Sequence, residues 1–179
     1  KLTGHFNDTA DLSAFYLKNT HGANHEGLDP EDVGTKVDAW GVGTNIALGG
    51  DFSLDGDYVR TSANKGNGHT TLWTAGLNYG EVDTDKVGSW SLGVHYVDAD
   101  RLAYLGGVSA WDMTDHLDYS LVSGMKFWQA KAGVALQKNV ELDAYYYFGG
   151  KAKDKDNFVD PDDTFGIERP VHFGHALQQ

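Results

Sequence analysis

The residues with the most chemical scope in this chain are eight histidines and twenty-six carboxylates, and there is no cysteine. The missing thiol removes disulfides, thiolate zinc sites and a cysteine nucleophile. His21 and His25 stand in an HxxxH spacing. On a helix that pair could ligate a metal, but Gly22 and Gly27 oppose a helix, so solvated loop side chains are expected. His172 and His175, three apart near the end of the chain, are expected to form no site either. His95 shares a face with Ser89 and Ser91, the types a serine hydrolase pairs. A lipid hydrolase would need that pair on its outer surface, and His95 is expected to face inward. Gly41-Val42-Gly43 has no strand–helix context and is no nucleotide fingerprint. Asp154, Asp156, Asp160, Asp162 and Asp163 crowd one loop. Calcium favours such oxygens, yet the spacing is not that of an EF-hand. Solvated loop charge is expected, with weak divalent-cation bridging to lipopolysaccharide as the alternative. The chain is therefore expected to be no enzyme, with no cofactor, catalytic residue or metal site.

The 179 residues carry a formal net charge of -12, which argues against nucleic acid as a partner, since phosphate binding needs Lys and Arg. Only 40% of residues are hydrophobic, yet 12% are aromatic and 23 are glycine, a poor recipe for a thick aliphatic core. No apolar run approaches the roughly 20 residues of a transmembrane helix. The opening Lys1-Leu2-Thr3-Gly4-His5-Phe6 is not a secretory signal. Either one was removed or the chain begins partway through a gene product.

The elements that would position these residues alternate with period two, the signature of strands. In 70–80, Trp73, Ala75, Leu77 and Tyr79 oppose Leu72, Thr74, Gly76 and Asn78. In 88–98, Trp90, Leu92, Val94 and Tyr96 oppose Ser89, Ser91, Gly93 and His95. Residues 37–48, 50–61, 126–137 and 139–150 repeat the pattern, and 11–19 is strand-like with an ambiguous phase. No amphipathic helix of useful length is present in the sequence. Each run is about ten residues, which suits a tilted strand crossing a bilayer at roughly 9–11. Soluble strands usually run about 5–6. Aromatics sit towards the ends of the apolar faces, where rings favour the membrane–water interface.

Short and long connections alternate, as in outer-membrane barrels with short periplasmic turns and long external loops. Residues 49–50, 80–88 and 138–139 are expected in the periplasm; 19–36, 62–69, 99–125 and 150–163 are expected outside. With a fragment at 1–6 and a last strand at 164–177, the strands number nine, whereas bacterial single-chain barrels use even numbers. The expected fold is an all-β antiparallel transmembrane barrel, one domain over 1–179, and the simplest account makes it the C-terminal portion of a larger barrel. The competing account is a complete eight-stranded barrel with a pairing extension at its start.

Three stretches resemble a known family. They are Tyr104-Leu105-Gly106-Gly107-Val108-Ser109-Ala110-Trp111-Asp112-Met113-Thr114-Asp115, then 126–136 with 138–146, from Lys126-Phe127-Trp128 to Ala144-Tyr145-Tyr146, and the early Asp11-Leu12-Ser13-Ala14-Phe15-Tyr16-Leu17-Lys18-Asn19. Covering about half the chain, they are similar to the OmpM-like porins of diderm Firmicutes, the Negativicutes. That resemblance implies a diffusion-porin barrel, a homotrimer, and an S-layer-homology domain and coiled-coil stalk of which this sequence shows nothing. The family's last strand would end in an aromatic residue. Here Pro170 interrupts the run and the chain ends in Gln178-Gln179.

The expected function is passive diffusion of small hydrophilic solutes and ions through a water-filled pore in the bacterial outer membrane, with membrane lipid and lipopolysaccharide as partners. Asp55, Asp57, His95, Lys131, Glu141, Asp143, Tyr145 and Tyr147 are expected to line the lumen. Their excess of carboxylates predicts a modest cation preference. Trp40, Trp73, Tyr79, Trp90, Tyr96, Trp128 and Phe148 are expected to form the lipid-facing aromatic girdle. The long link 99–125, with Trp111 and Met113, is a candidate constriction loop. Glycines 41, 43, 76, 93 and 133 on the inner face are expected to leave the lumen open. The alternatives are a non-conducting eight-stranded structural or adhesive barrel, and a soluble carbohydrate-binding sandwich.

Overall fold

Period-two alternation becomes strand wherever the sequence carries it. The computed structural model describes residues 2–6, 9–19, 37–62, 69–101, 103 and 123–168. Its strands are β1 (Leu2–Phe6), β2 (Ala10–Asn19), β3 (Val37–Gly49), β4 (Phe52–Thr61), β5 (Thr70–Gly80), β6 (Trp90–Ala99), β7 (Met125–Gln137), β8 (Val140–Ala152) and β9 (Thr164–Glu168). They make one antiparallel nine-stranded sheet in chain order. Among the described residues β1 and β9 are its edges, and the sheet does not close on itself. The fold is all-β. The part of the expected last strand beyond Glu168 lies outside the described residues.

The ends of the strands are set by local backbone chemistry. Gly49, Gly50 and Asp51 all take positive φ (88°, 61° and 65°), which turns the chain tightly between β3 and β4. Asn139, at φ 61°, does the same between β7 and β8. β6 begins two residues later than the alternation predicts because Gly88, at φ 88°, breaks the extended run. The ladder nevertheless continues past it: Gly88 N–H donates to Ala135 O at 2.8 Å, and Ala135 N–H to Ser89 O at 2.9 Å.

The two faces have opposite chemistry. One carries Leu54, Leu77, Leu92 and Val94, all exposed, with Trp40, Trp73, Trp90 and Trp128 between 40% and 47% exposed. The other carries Thr74, His95, Gln129 and Asp143, all buried. A single cavity is touched by residues from β3 through to β8 on this second face. The sheet therefore curls around its polar face, and the apolar face is the convex one. Strand twist supplies the curl.

The concave face divides along its length. Towards the ends joined by long links it holds two dry clusters. Val59, Leu72, Ala99 and Ala103 pack with Phe15. Val97, Met125, Phe127 and Tyr147 pack with Tyr145. Towards the ends joined by short turns it opens into the polar cavity.

Candidate functional site

The cavity has a volume of about 1170 Å³ and lies on the concave face at the short-turn end. Strand parity delivers its wall. Asn45 and Ala47 come from β3, Ser53 and Asp55 from β4, Asn78 from β5, Ser91, Gly93 and His95 from β6, Gln129 and Lys131 from β7, and Glu141 from β8. Of the residues expected to line a lumen, four meet here: Asp55, His95, Lys131 and Glu141.

The polar groups are tied across strands. His95 Nε2 lies 3.0 Å from Asp55 Oδ1, two strands away. Asn78 Nδ2 donates to the same carboxylate oxygen. Lys131 Nζ stands 4.0 Å from Asp143 Oδ1. Gln129 Nε2 donates to Tyr147 Oη at 3.0 Å. Asp143 is buried on the concave face beside this wall, and the Asp57 carboxylate leans over Gly43.

Tyr145 and Tyr147 also point to the concave side, but at the long-loop end. Tyr147 is 2% exposed, its ring edge-on to Phe127 with centroids 5.8 Å apart. It fills the dry cluster instead of facing the cavity. Trp111 and Met113 lie outside the described residues. Ala103, early in the same link, is buried on the concave side.

The glycines of the concave face are not open space. A Cβ on Gly76 would lie 1.9 Å from His95 Cδ2, and one on Gly41 2.4 Å from Phe15 Cε1. Gly43, Gly93 and Gly133 are overlaid in the same way by Asp57, Asn78 and Asp143. This corrects the expectation that they hold the lumen open. Each is a seat for a side chain leaning over from a neighbouring strand, which is how a glycine in a sheet permits close approach.

Ser89, His95 and the loop aspartates have the following partners. Ser89 Oγ accepts from Asp83 N–H at 2.8 Å and donates to Asp83 O at 2.9 Å, so it caps a turn, while Nε2 of His95 is engaged by a carboxylate. The loop aspartates do not converge either. Asp160 accepts from Ala152 N–H, and Asp163 from Gly149 N–H and Tyr146 Oη. Among the described residues no group of three His, Asp or Glu stands together as a metal would require. His21, His25, His172 and His175 lie outside those residues.

The convex face carries a belt. Tyr16 is in register with Trp40, Tyr58 with Trp73, and Trp128 with Phe148. The Trp40–Tyr58, Trp73–Tyr96 and Tyr96–Trp128 ring centroids are 5.5, 5.3 and 4.9 Å apart. This row crosses the sheet from β2 to β8 near the long-loop end. A shorter second row, Phe52, Tyr79 and Trp90, lies near the short-turn end, with centroids 4.7 and 5.3 Å apart. All seven expected girdle residues are in one row or the other.

No protein-family model matches the chain, and no curated protein does either. The site therefore stands on its geometry alone.

One element escaped the sequence. The turn between β5 and β6 folds inward, so Glu81 and Val82 line the cavity and Val82 lies over Gly133. Lys138 Nζ, 3.6 Å from Asp85 Oδ1, ties that turn to the next one. Parity does identify Asn45, Ser53, Asn78, Ser91 and Gln129 on the polar face.

Proposed function

We propose that this chain forms the wall of an outer-membrane porin, a transmembrane β-barrel through which small hydrophilic solutes and ions diffuse passively. The observation that carries this reading is the placement of large apolar side chains on the convex outside, while the concave inside holds a polar cavity at its short-turn end beside two dry clusters. Together the half-exposed convex side chains amount to on the order of 1,000 Å² or more, against about 300–600 Å² for the largest patch on a typical soluble monomer. Leaving roughly 1,000 Å² in water forgoes about 25 kcal/mol, more than the net stability of a typical domain, about 5–15 kcal/mol. Lipid satisfies that face without another protein layer. The aromatic rows fall where interfacial rings belong, and from Trp40 to Leu48 or Trp128 to Leu136 the apolar stretch is about 27 Å along the strand.

The pore wall carries Asp55, Asp57, Glu141 and Asp143 against Lys131, which biases it towards cations. Resemblance to the OmpM-like porins adds a homotrimer, and an outer-membrane location adds contact with lipopolysaccharide. A second reading has support of its own. The dry clusters around Phe127 and Val59 fill part of the concave face, as side chains fill a small eight-stranded barrel. Planar-bilayer recording separates the two. Stepwise conductance with a cation-selective reversal potential supports the porin; folded, inserted protein without steps supports the closed barrel. A chain that is folded and soluble without detergent contradicts both.

A further inference from the structure

Just beyond the aromatic belt, at the long-loop end of the convex face, two lysines stand opposite each other. Lys126 of β7 is the register partner of Lys151 of β8, and both are exposed. Like charges placed directly across a ladder repel, so the arrangement is costly unless an anion joins them.

The pairing is not an accident of alternation. From Trp128 to Lys126 the chain moves two residues along β7, but from Phe148 to Lys151 it moves three along β8. The extra residue is a bulge at Gly149, whose φ is 63°. Regular alternation after Phe148 would turn Lys151 to the concave side. The bulge returns it to the convex face beside Lys126, and bulges commonly re-aim a side chain in this way. Ala152 and its partner Met125 are then both buried on the other face.

Nearby carboxylates do not quench the pair. Asp98, across β7 from Lys151 and in register with Lys126, is held by Lys153, which also contacts Asp100 at 2.6 Å. Asp163, on the far side of β8, is taken up by Gly149 N–H and Tyr146 Oη. Neither Lys126 nor Lys151 meets a carboxylate among the described residues. Asp160 accepts from Ala152 N–H, beside Lys151. The two ammonium groups are thus outside the ion pairs around them, set roughly 7 Å along the strand beyond Trp128, at headgroup level if the belt marks the interface.

We infer that Lys126 and Lys151 form a clamp for the phosphate of an anionic lipid headgroup in the leaflet at the long-loop end. The inference rests on the membrane reading above. Two lysines paired across adjacent strands suit one phosphate, and the neighbouring Trp128 and Phe148 rings suit the acyl chains beneath it.

The test uses the full chain in nanodiscs of mixed phosphatidylglycerol and phosphatidylcholine, with retained lipid counted by native mass spectrometry. The wild type should retain phosphatidylglycerol preferentially. The Lys126→Gln/Lys151→Gln variant should lower that preference about thirtyfold, the weight of two surface lysines against an anionic lipid. Lys151→Gln alone should lower it about fivefold, which keeps the test open should the double variant misfold. Lys86→Gln/Lys138→Gln, at the opposite end, should leave it unchanged. Insertion with a preference that ignores Lys126 and Lys151 overturns the clamp and leaves the membrane reading intact. Inorganic phosphate bound by the detergent-solubilised chain with the same dependence on both lysines overturns the lipid as occupant. A chain that stays folded in the aqueous fraction overturns the membrane reading, and the clamp with it.

Discussion

His95 and Asp55 are hydrogen-bonded at 3.0 Å although a whole strand lies between them. The residue they cross is Gly76, in register with both. Any side chain there would occupy the path: a Cβ would lie 1.9 Å from the His95 ring and 2.8 Å from Asp55 Oδ1. Gly76→Ala should therefore displace His95, break the pair and cost about 1–3 kcal/mol, as overpacking does. Urea unfolding of Gly76→Ala, Asp55→Asn and the double variant checks this. The two effects should be coupled, because both act on one hydrogen bond. Strict additivity would contradict the bridging role of the glycine.

A second network closes the long-loop rim and predicts a pH response. Asp100 Oδ2 accepts from Thr71 N–H at 2.9 Å and Thr71 Oγ1 at 2.8 Å, while Oδ1 accepts from Lys153 Nζ. Burial pushes the Asp100 carboxyl up, but Lys153 and the Thr71 donors outweigh it and hold it below its ordinary 3.8. For Lys153 burial works downward, and Asp100 and Asp98 outweigh it, so the ammonium is held above its ordinary 10.5. A depressed carboxyl stabilises above its ordinary value and loses that contribution as pH falls through its folded value. A raised amine stabilises below its ordinary value and loses it as pH rises through its folded value. The rim should thus be most stable between 3.8 and 10.5, weakening outside both limits. Lys153→Met should remove about 1 kcal/mol at neutral pH after solvent screening. It should also flatten the alkaline fall in Tm.

The convex face predicts a depth effect. Leu77 and Val94 are register partners midway between the aromatic rows, at 47% and 45% exposure. Val94→Arg should cost about 2–4 kcal/mol of stability in a bilayer. Lys126→Arg, beyond the belt, should cost almost nothing. Equal tolerance of both, measured by folding into lipid vesicles, would contradict a lipid-facing surface.

Charge on the concave face predicts selectivity. Asp55→Asn/Glu141→Gln removes two of the carboxylates in the cavity wall. Reversal potentials in a salt gradient should move towards zero or towards anion preference. No change would place the ion path elsewhere.

The strands were legible because alternation is local and strong. Trp73-Thr74-Ala75-Gly76-Leu77-Asn78-Tyr79 states its two faces without help from the rest of the chain. Face assignment followed from the same parity, which is why Asp55, His95, Lys131 and Glu141 meet in one cavity. What escaped needed information from other strands. Nothing near Gly76 reveals that His95 will lie over it, because the two meet only through the β5–β6 register. Tyr147 carries the parity of a cavity residue, and only the rings around Phe127 make it dry. The bulge at Gly149 shifts Lys151 to the other face, which strict alternation cannot anticipate. The inward fold of Val82 depends on a turn whose sequence, Glu81-Val82-Asp83-Thr84-Asp85, looks like any solvated connection.

On the porin reading, the convex face meets lipid and the cavity of the concave face meets water. Because the chain has no cysteine, single cysteines can report each face separately. Ser53→Cys, Ser91→Cys and Asn45→Cys place a thiol on the concave side; Leu54→Cys, Leu77→Cys and Leu92→Cys place one on the convex side. In lipid vesicles, a membrane-impermeant maleimide should label the first set and spare the second. Labelling of the convex positions from water at the same rate as the concave ones would contradict the account.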